Sequence, residues 1–507
     1  MYALVVGLLH AAAVAWASAP PTLRPVTKCV VKDSATVDGM QGAIDWACNG
    51  HLDCSPIEKG GKYYDPSLRR RAEWLVNAYF WQHADNDGSC DFAGIAELWC
   101  GERGVSVDKI RGVNLGGWLV MEPWITPSMF EKPELKDQAI DEYTFAHYLG
   151  YEMAKQLLTQ HWDTWYTRDD FARIKQLGLN TVRLPVGYWA FGDYPPMVAN
   201  VAYVDAAAKW CDELGLGMLI DLHGAPGSQN GFDNSGRTCG DKCIVDCPPA
   251  PSWMYNDTNV DLTLKVLQKF AQRYKTARAV IGIEVLNEPR WDIDETFLKK
   301  YYASAHTVLR QHGNPAWRIV FSDSFRYNLW RGFMANDTMV NLDAHVYQAF
   351  SPDDIKQTPD GHLRQSCGFS KMIDYQNCVE KPTIVGEWSL ATNDCQKYLL
   401  GYKQPPTAPD YGVKCYERFE DQFYASYARA QLHTWERGAG WFFWTAKAED
   451  APMWSYFEAV ERGWMPRNAS ALADEIRTAC DFSTDTRAEP LGAGHRRAPP
   501  RGWRGRW

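Results

Sequence analysis

The chain has 507 residues, of which 46% are hydrophobic, and this length exceeds an average domain although one α/β barrel can take up most of it. The net charge of −9 is modest and spread along the chain, which excludes nucleic acid as a partner because phosphates require a basic face. The 23 tryptophans favour either a packed core or a surface on which sugar rings stack.

The chain begins with an apolar stretch, residues 2–19, that ends in small residues. This pattern predicts a signal peptide over residues 1–19, with cleavage after Ala19 or after Ala17, and the stretch is too short for a comfortable membrane span. The 14 cysteines indicate the same secretory route, because disulfides persist in oxidising compartments. Candidate N-glycosylation sequons, which fit a secreted protein, stand at Asn256, Asn336 and Asn468.

Cysteines are dense near the N terminus, where the chain carries Cys29, Cys48, Cys54, Cys90 and Cys100. Such a density is typical of a small module stapled by disulfides. We therefore predict a separate N-terminal module over residues 28–101, followed by a short joint.

From Ile110 to about Cys480, short apolar runs alternate with helical stretches. Eight of these runs are predicted strands, around residues 110–115, 180–186, 217–223, 279–286, 318–323, 339–346, 382–387 and 438–445. A capping-box sequence at residues 167–170 marks a helix before the second run. Eight strands with intervening helices predict a (β/α)8 TIM barrel over residues 108–480. A doubly wound sheet is the alternative, but no glycine-rich phosphate loop follows the first run.

The composition changes beyond Cys480. The end of the chain, GHRRAPPRGWRGRW, places arginines among Gly and Pro without periodicity, so residues 481–507 are predicted to be a disordered basic tail. A merely solvated tail and a tail that binds acidic wall polymers both stay open. We expect no glycolipid anchor, because the tail is not hydrophobic.

Barrel enzymes carry their catalytic groups at the C-terminal ends of the strands. The residues at these positions here are Arg183, His223, Asn287, Glu288, His345, Tyr347, Glu387 and Trp444. Glu288 and Glu387 both end apolar runs, GIEVLNE and PTIVGE, on the fourth and seventh predicted strands. Those strands lie roughly opposite each other, and two carboxylates facing each other across a sugar-sized gap are the requirement for glycoside hydrolysis.

A retaining glycosidase uses one ionised carboxylate as nucleophile and one protonated carboxyl group as proton donor. Arg183 favours the ionised form of a neighbouring glutamate, whereas an apolar setting keeps a carboxyl group protonated. His345 and Tyr347 suit the orientation of these groups, Asn287 suits a sugar 2-hydroxyl, and Trp444 offers a floor for the ring. The residues alone do not say which glutamate has which role.

Seven motifs together carry a resemblance to a known family: RGVNLGGWLVMEPWITP, NTVRLPVGYW, DLHGAPGSQNGFDNSG, VLNEP, HVYQAF, VGEWS and GWFFWTAK. Over residues 111–480 the chain resembles glycoside hydrolase family 5, and within it the fungal-type exo-β-1,3-glucanases. The resemblance implies a retaining (β/α)8 barrel with Glu288 as acid/base and Glu387 as nucleophile. It also implies a glycone subsite lined by Glu122, Arg183, His223, Asn287, His345, Tyr347 and Trp444. The two phenylalanines that clamp the next sugar in that family match Phe232 and Phe350.

The N-terminal module is similar to carbohydrate-binding module family 43, whose members bind β-1,3-glucan. The stretches that carry this similarity are CVVKDSATVDGMQGAIDWACNGHLDCSPIEKGGKYYDP, NAYFWQ and GSCDF. The two resemblances imply the disulfides Cys29–Cys90, Cys48–Cys54, Cys367–Cys480 and Cys395–Cys415. This chain has Tyr63 where the module family has a cysteine, so Cys100 either pairs with a cysteine of the barrel or stays free.

Two further groups of residues have competing interpretations. The evenly spaced Cys239, Cys243 and Cys247 are expected to form disulfides in a loop, rather than bind a metal, because the chain is predicted to be secreted. In the module, Trp74, Tyr79 and Trp81 either stack on sugar or pack the small core.

These observations predict a secreted exo-glycosidase that releases glucose from the non-reducing ends of β-1,3-glucans by a two-carboxylate double displacement. We expect its partner to be β-1,3-glucan polysaccharide, its state to be monomeric, and its chemistry to need no metal or organic cofactor. Three alternatives stay open: a β-1,3-glucan transglycosylase, another family 5 β-glucosidase or endoglucanase, and a non-catalytic wall protein that only holds glucan.

Overall fold

The computed structural model describes residues 28–83, 87–99, 109–192, 194–240, 251–326, 329–334, 337–415 and 419–482. The predicted signal peptide, Cys100, Cys243, Cys247, Asn336 and all but the first residues of the predicted tail lie outside this part of the chain. Within it, no helix combines the length and apolar character needed to cross a membrane.

The N-terminal module consists of a two-stranded antiparallel sheet and two helices, with bounds β1 Lys28–Val31, α1 Val37–Cys48, α2 Leu68–Gln82 and β2 Ala96–Trp99. Each helix begins where a hydroxyl side chain accepts a backbone N–H: Thr36 caps α1 and Ser67 caps α2. The implied pairs Cys29–Cys90 and Cys48–Cys54 are both disulfide-bonded. Tyr63, at the position of the missing cysteine, is 49% exposed and stacks on Trp74 with ring centroids 5.8 Å apart.

The core of the module continues into the barrel. Tyr375, Cys378 and Val379 of the barrel are buried in the same apolar cluster as Val31 and Phe80 of the module. These barrel residues come just before a barrel strand begins, so they lie at the face opposite the C-terminal ends of the strands. Two ion pairs flank this contact, Lys371–Asp91 at 3.0 Å and Arg437–Glu97 at 3.8 Å. The module therefore docks on the side of the barrel away from its mouth.

The rest of the described chain forms a closed barrel of eight parallel strands, which confirms the predicted fold class. The strands are β3 Ile110–Asn114, β4 Thr181–Gly187, β5 Gly217–Gly224, β6 Val280–Glu284, β7 Arg318–Ser322, β8 Val340–His345, β9 Thr383–Glu387 and β10 Gly440–Phe443. Each overlaps one predicted run, with bounds that differ by at most two residues. The strands are apolar and almost entirely buried because both of their faces are covered, as parallel sheets require.

Helices and loops connect the strands in sequence. Their bounds are α3 Pro127–Phe130, α4 Glu142–Leu149, α5 Tyr151–Trp165, α6 Arg168–Gln176, α7 Val201–Leu214, α8 Asp257–Tyr274, α9 Glu295–His312, α10 Pro352–Ile355, α11 Pro359–Gly368, α12 Ser370–Tyr375, α13 Asp421–Trp435, α14 Tyr456–Glu461 and α15 Leu472–Ile476. The predicted capping box is present on α6, where Thr167 and Asp170 satisfy each other's backbone N–H groups. Gly178, which follows this helix, has φ of 76°, a conformation that favours glycine.

The barrel interior is layered. At the end away from the mouth, five strands contribute an apolar plug of Ile110, Leu219, Val320, Ile384 and Phe442. Above this plug the alternating side chains become charged, because Asp221 and then His223 follow Leu219 on the same face of β5. Asp343 and His345 have the same relationship on β8. The interior thus changes from apolar to ionic toward the C-terminal ends of the strands.

Two further disulfides join parts of the barrel, the implied pairs Cys367–Cys480 and Cys395–Cys415. Cys239 is a free, buried cysteine, so the expectation that it joins a loop disulfide is wrong. Its sulfur lies under the loop near the backbone carbonyls of Gly227 and Arg237, and burial raises the pKa of its thiol to about 11.

Two of the three glycosylation sequons fall on described residues. Asn256 and Asn468 are both exposed, and each begins a helical turn by accepting a backbone N–H two residues ahead. This capping uses the amide oxygen and leaves the amide nitrogen, where a glycan attaches, pointing elsewhere. Glycosylation at these positions stays a prediction.

Candidate active site

A fully buried arginine organises the base of the site. Arg183, near the middle of β4, donates from Nε to Glu284 at 2.7 Å and from Nη1 to Glu387 at 3.0 Å. Its remaining donors reach Asn114 and Asn287, both at 2.9 Å. A guanidinium removed from water is stable only when its fork of donors is satisfied in this way.

More carboxylates surround Arg183 than one positive charge can balance. Asp221 lies 3.2 Å from the guanidinium and Asp343 lies 3.9 Å from it, in addition to Glu284 and Glu387. Burial raises the pKa of Glu284 well above its ordinary value, and Arg183 only partly offsets this effect. Among the carboxyl groups of this layer, Glu284 combines full burial with the shortest contact to the guanidinium.

Glu288 and Glu387 meet at the mouth of the barrel. Their nearest oxygens, together with Nδ1 of His345, all lie within 4.8 Å of one another. Carboxyl groups about 5 Å apart leave room for a covalent sugar intermediate, whereas inverting enzymes need a gap of about 6.5–9.5 Å for a water molecule. Pro289 follows Glu288 and turns the chain out of the sheet.

The backbone at Glu288 is strained. Its φ is 41°, in the left-handed region that non-glycine residues rarely occupy. Such a conformation costs about 1–3 kcal/mol and is found where the surrounding structure demands a particular side-chain direction. Here it aims the carboxyl group at the pocket, where its Oε2 accepts a hydrogen bond from Asn234 at 3.1 Å.

Glu387 has two strong hydrogen-bond donors. Arg183 reaches its Oε1, and the hydroxyl group of Tyr347 donates to its Oε2 at 2.8 Å. Both donors favour the carboxylate over the carboxylic acid. Burial acts in the opposite direction and raises the pKa of Glu387, so the ionised form depends on these partners and on nearby positive charge.

His345 couples the two glutamates. Its Nδ1 lies 2.7 Å from Glu288 and 3.4 Å from Glu387, and its Nε2 lies 3.4 Å from Asp343. Although burial lowers the pKa of His345, the charges of Glu387 and Asp343 raise it well above its ordinary value. Burial raises the pKa of Glu288, but His345, together with His223 and Asn234, lowers it below its ordinary value on balance.

The pKa of Glu288 is thus lowered and that of Glu387 is raised. The implied roles require the opposite, because a proton donor needs a higher pKa than the nucleophile. The low pKa of Glu288 depends on a protonated His345, whereas the Arg183 and Tyr347 donors stay with Glu387 in either state of the imidazole. When His345 is neutral, its Nδ1 accepts a hydrogen bond from the protonated carboxyl group of Glu288. These hydrogen bonds favour an ionised Glu387 and, when the imidazole is neutral, a protonated Glu288.

A second histidine supports the opposite wall. His223 lies 2.6 Å from Asp221 through Nδ1, and its other nitrogen lies 3.4 Å from the amide of Asn287. The ring of His223 stacks parallel to the Trp444 indole, with centroids 5.5 Å apart. Asp221, His223 and Asn287 are fully buried, so this wall is rigid and pre-organised.

Glu122 lies at another edge of the pocket and accepts a hydrogen bond from the indole of Trp124 at 2.9 Å. Burial raises the pKa of Glu122 well above its ordinary value, and the charge of Asp233 adds to the shift. The raised pKa favours the protonated form of Glu122, which can both donate to and accept from a sugar hydroxyl.

The structure brings all the predicted site residues together. Eight of them line one pocket: Glu122, His223, Phe232, Glu288, Tyr347, Phe350, Glu387 and Trp444. Arg183, Asn287 and His345 do not line it but lie directly behind, bonded to those that do. Phe350 packs on Tyr347 and Trp454 with ring centroids 5.6 and 6.2 Å apart.

Sequence reasoning missed a set of supporting residues. Asp221 and Asp343 stand two positions before His223 and His345, and this spacing on a strand would have placed them on the same face. Glu284 stands in the same apolar run as Glu288, and its acidic side chain was the available signal. Asn234 comes from a loop, and no local pattern marks it as the partner of Glu288.

Two sets of side chains have the spacing of cation ligands: Glu284, Asp343 and His345 in one set, and Glu288, His345 and Glu387 in the other. Arg183 and His345 already place positive charge among these carboxylates. This positive charge offsets part of the negative charge of the two sets.

Comparison with known proteins agrees with this geometry. Residues 148–449 match the family model Cellulase (glycosyl hydrolase family 5), and residues 27–97 match the model of the X8 domain. Among curated relatives, the glucan 1,3-beta-glucosidase of Blumeria graminis is 40% identical over 386 residues, which cover 71% of this chain and 87% of that protein. The probable glucan 1,3-beta-glucosidase A of Neosartorya fischeri is 41% identical over 382 residues, covering 70% and 87%.

Solved structures agree on the fold. The crystal structure of rutinosidase from Aspergillus niger is similar with a TM-score of 0.56 and 21% identity, covering 70% of this chain and 97% of that one. At this identity the structural similarity supports only the barrel fold. The match to the family model over most of the barrel, together with the curated relatives, shows that the chain belongs to glycosyl hydrolase family 5.

Proposed function

We propose that this protein is a retaining exo-β-1,3-glucosidase that removes glucose from the non-reducing ends of β-1,3-glucan. The observation that carries the proposal is the pair Glu288 and Glu387, whose nearest oxygens lie within 4.8 Å. That separation supports double displacement with retention. The names of the curated relatives, glucan 1,3-beta-glucosidases, support the substrate class.

Glu387 is the proposed nucleophile. Arg183 and Tyr347 hold its carboxylate ionised and fix its two oxygens. In the first step the carboxylate attacks the anomeric carbon, the bond to the leaving oxygen breaks, and a glycosyl ester forms. Tyr347 and Arg183 retain the same geometry when the ester is later broken.

Glu288 is the proposed acid and base. In the first step its proton passes to the oxygen of the departing glucan, which leaves as a free chain end. In the second step the ionised Glu288 takes a proton from water, whose oxygen attacks the anomeric carbon and releases glucose from Glu387. Nδ1 of His345 lies 2.7 Å from Glu288 and keeps its carboxyl group oriented.

The sugar in the pocket is held by groups that are already in position. Trp444 gives an apolar surface under the ring, and Glu122, which lines the same pocket, is proposed to bind the hydroxyl groups of the sugar. Asn287 is fixed by Arg183 and is proposed to bind the 2-hydroxyl group. Phe232 and Phe350 also line the pocket, and we propose that they clamp the next sugar.

We propose that the N-terminal module holds the glucan polymer. In the described part of the chain every tryptophan among the exposed large hydrophobic residues lies on the module: Trp46, Trp81 and Trp99. Trp46 stacks on His51 at 4.3 Å and meets the edge of Tyr79 at 5.2 Å, which makes a continuous aromatic strip. Exposed rings of this kind bury readily against the apolar faces of sugars.

We further propose a secreted, monomeric protein with a module over residues 28–101 and a catalytic domain over residues 108–480. Four disulfides between described cysteines support an oxidising compartment. The site is complete within one chain, which supports a monomer. The apolar cluster of the module is distinct from the main cluster of the barrel, although Tyr375, Cys378 and Val379 of the barrel join it, and this distinction supports the boundaries.

The test is product analysis on laminarin and laminari-oligosaccharides, comparing the parent with Glu387→Ala. The parent is expected to release glucose alone with retained β configuration, and the variant to lose about 10⁴-fold or more in kcat. Hydrolysis by the variant near the parent rate would contradict the mechanism. A ladder of oligomers from the parent would indicate endo action, and elongated products at high substrate would indicate transfer.

A further inference from the structure

A short segment over the pocket has an unusual symmetric sequence. Residues 397–403 read KYLLGYK, and we name them the strap. At one end the hydroxyl group of Tyr398 donates to Glu131 at 2.7 Å, and Lys397 forms an ion pair with the same carboxylate. At the other end Tyr402 donates to Asp137 at 2.9 Å, and Lys403 lies 2.8 Å from it. Both ends are thus tied to one distant segment, residues 131–137.

The base of the strap is also fixed. The Cys395–Cys415 disulfide closes the loop that carries it. Next to this disulfide, the carboxylate of Asp394 accepts hydrogen bonds from the backbone and hydroxyl of Thr407 and from the backbone of Ala408. The rings of Tyr398 and Tyr402 pack on each other at 4.5 Å. A loop held at its base and at both sides of its tip has a defined position.

The middle of the strap lines the pocket. Leu399, Leu400 and Gly401, which separate the two anchored ends, are all part of the pocket wall. Leu399 also packs against the apolar cluster that contains Trp124, Trp444 and Trp454. The anchored residues at the two ends of the strap do not line the pocket themselves, so they act on it through the position of these three residues.

The topology places the strap on the glycone side. The strap follows β9 and is tied to the segment after β3, and β10 lies between these two strands. In a closed barrel of eight strands β10 lies opposite β6, which leads to the proton donor Glu288. The leaving part of the glucan departs toward the proton donor. The strap therefore stands across the pocket, beyond the sugar that is retained.

We propose that the strap is the wall that stops the glucan chain after one sugar, and that Glu131 and Asp137 are positioning residues that hold this wall. The inference rests on the proposed exo function and adds its structural cause. An exo enzyme needs a barrier beyond the terminal sugar, and here the barrier is a surface loop held in place by two acidic residues far away in the sequence.

The test compares the parent with Glu131→Ala/Asp137→Ala, which releases both ends of the strap, and with Tyr398→Phe/Tyr402→Phe, which removes only the two hydroxyl groups. Glu134→Ala is the matched control, since Glu134 is an exposed acid on the same segment that contacts neither end of the strap in the described structure. The substrates are laminarihexaose labelled at the reducing end and an aryl β-glucoside, which places a single sugar in the pocket.

The parent and Glu134→Ala are expected to release glucose only. The acidic double variant is expected to release laminaribiose and longer products as well, and to raise KM for laminarihexaose by about threefold or more, while kcat for the aryl glucoside stays within about twofold. The double phenylalanine variant is expected to show the same products in smaller amounts.

Glucose as the sole product of both double variants, with the KM of the parent, would overturn the strap proposal even if their melting temperatures fell. That result leaves the proposed exo function intact. Oligomers released by the parent itself would instead contradict the exo function, and the two failures are therefore distinguishable.

Discussion

Nδ1 of His345 lies 2.7 Å from the carboxyl group of Glu288, and the same nitrogen lies 3.4 Å from Glu387. One imidazole thus contacts both of the carboxyl groups that are proposed to react. A protonated His345 lowers the pKa of Glu288, whereas a neutral His345 accepts a hydrogen bond from the protonated Glu288. The imidazole therefore affects the pH range in which Glu288 can act as an acid.

Replacement of His345 is expected to move the pH profile in a defined direction. In His345→Ala, burial still raises the pKa of Glu288, but the hydrogen bond and charge that lower it are gone. Glu288 then stays protonated to a higher pH, so the alkaline limb of kcat/KM is expected to shift upward, with a loss of about 10- to 100-fold at the optimum. His306→Ala, on the outside of the barrel, is the control, and a downward shift in His345→Ala would contradict the coupling.

The two glutamates are expected to differ in their dependence on the leaving group. Glu288→Ala removes the proposed proton donor, so hydrolysis of laminaribiose is expected to fall by about 10³-fold or more. The first step on a dinitrophenyl β-glucoside is expected to slow far less, because dinitrophenolate leaves without a proton. Glu387→Ala is expected to lose activity on both substrates, because each needs the nucleophile. The measurement is pre-steady-state release of the dinitrophenolate, and equal losses on the two substrates in Glu288→Ala would reverse the assigned roles.

The parts of the site that sequence could predict are those marked by local patterns. Glu288 and Glu387 end apolar runs, and eight such runs in alternation with helices are enough to predict a barrel and its mouth. The strained φ of Glu288 and its hydrogen bond with Asn234 were not predictable, because they depend on a loop whose path no periodicity marks.

Contacts between segments that are distant in the sequence could not be predicted either. The docking of the module through Tyr375 and Val379 joins residues about three hundred positions from the module, and neither stands in a recognisable motif. The same holds for Glu131 and Tyr398, because no sequence motif indicates that this surface carboxylate and this loop tyrosine form a hydrogen bond. Tertiary packing, rather than local propensity, decided these features.

The buried charge of Arg183 is expected to matter for stability as well as activity. Arg183→Met leaves Asp221, Asp343 and Glu387 without their common cation, which is expected to cost about 3–5 kcal/mol of unfolding free energy. The loss is expected to grow as pH rises, because the unpaired carboxylates then ionise inside the barrel. Arg278→Met, which breaks an exposed pair with Asp212, is the control and is expected to change stability by less than about 0.5 kcal/mol. Equal stability curves for the two variants would show that the carboxylates do not depend on Arg183.

The module is expected to affect binding of the polymer without affecting the chemistry. It docks at the face of the barrel opposite the pocket, so a sugar on the module cannot contact Glu288 or Glu387. Trp46→Ala removes the centre of the aromatic strip, and co-sedimentation with insoluble β-1,3-glucan is expected to weaken by about 1–2 kcal/mol, or about tenfold.

The same Trp46→Ala variant is expected to keep the parent's kcat/KM on soluble laminaritriose, because this substrate is too short to reach the module. Tyr255→Ala is the matched control, since Tyr255 is an aromatic residue of the barrel that is 82% exposed and lies outside the module. If Trp46→Ala sedimented with glucan as the parent does, the polymer would have to bind elsewhere, and the exposed Tyr63 that stacks on Trp74 would be the next residue to replace. If instead kcat/KM on laminaritriose fell with sedimentation, the two sites would be coupled through the shared core at Tyr375, contrary to the separation that the docking geometry implies.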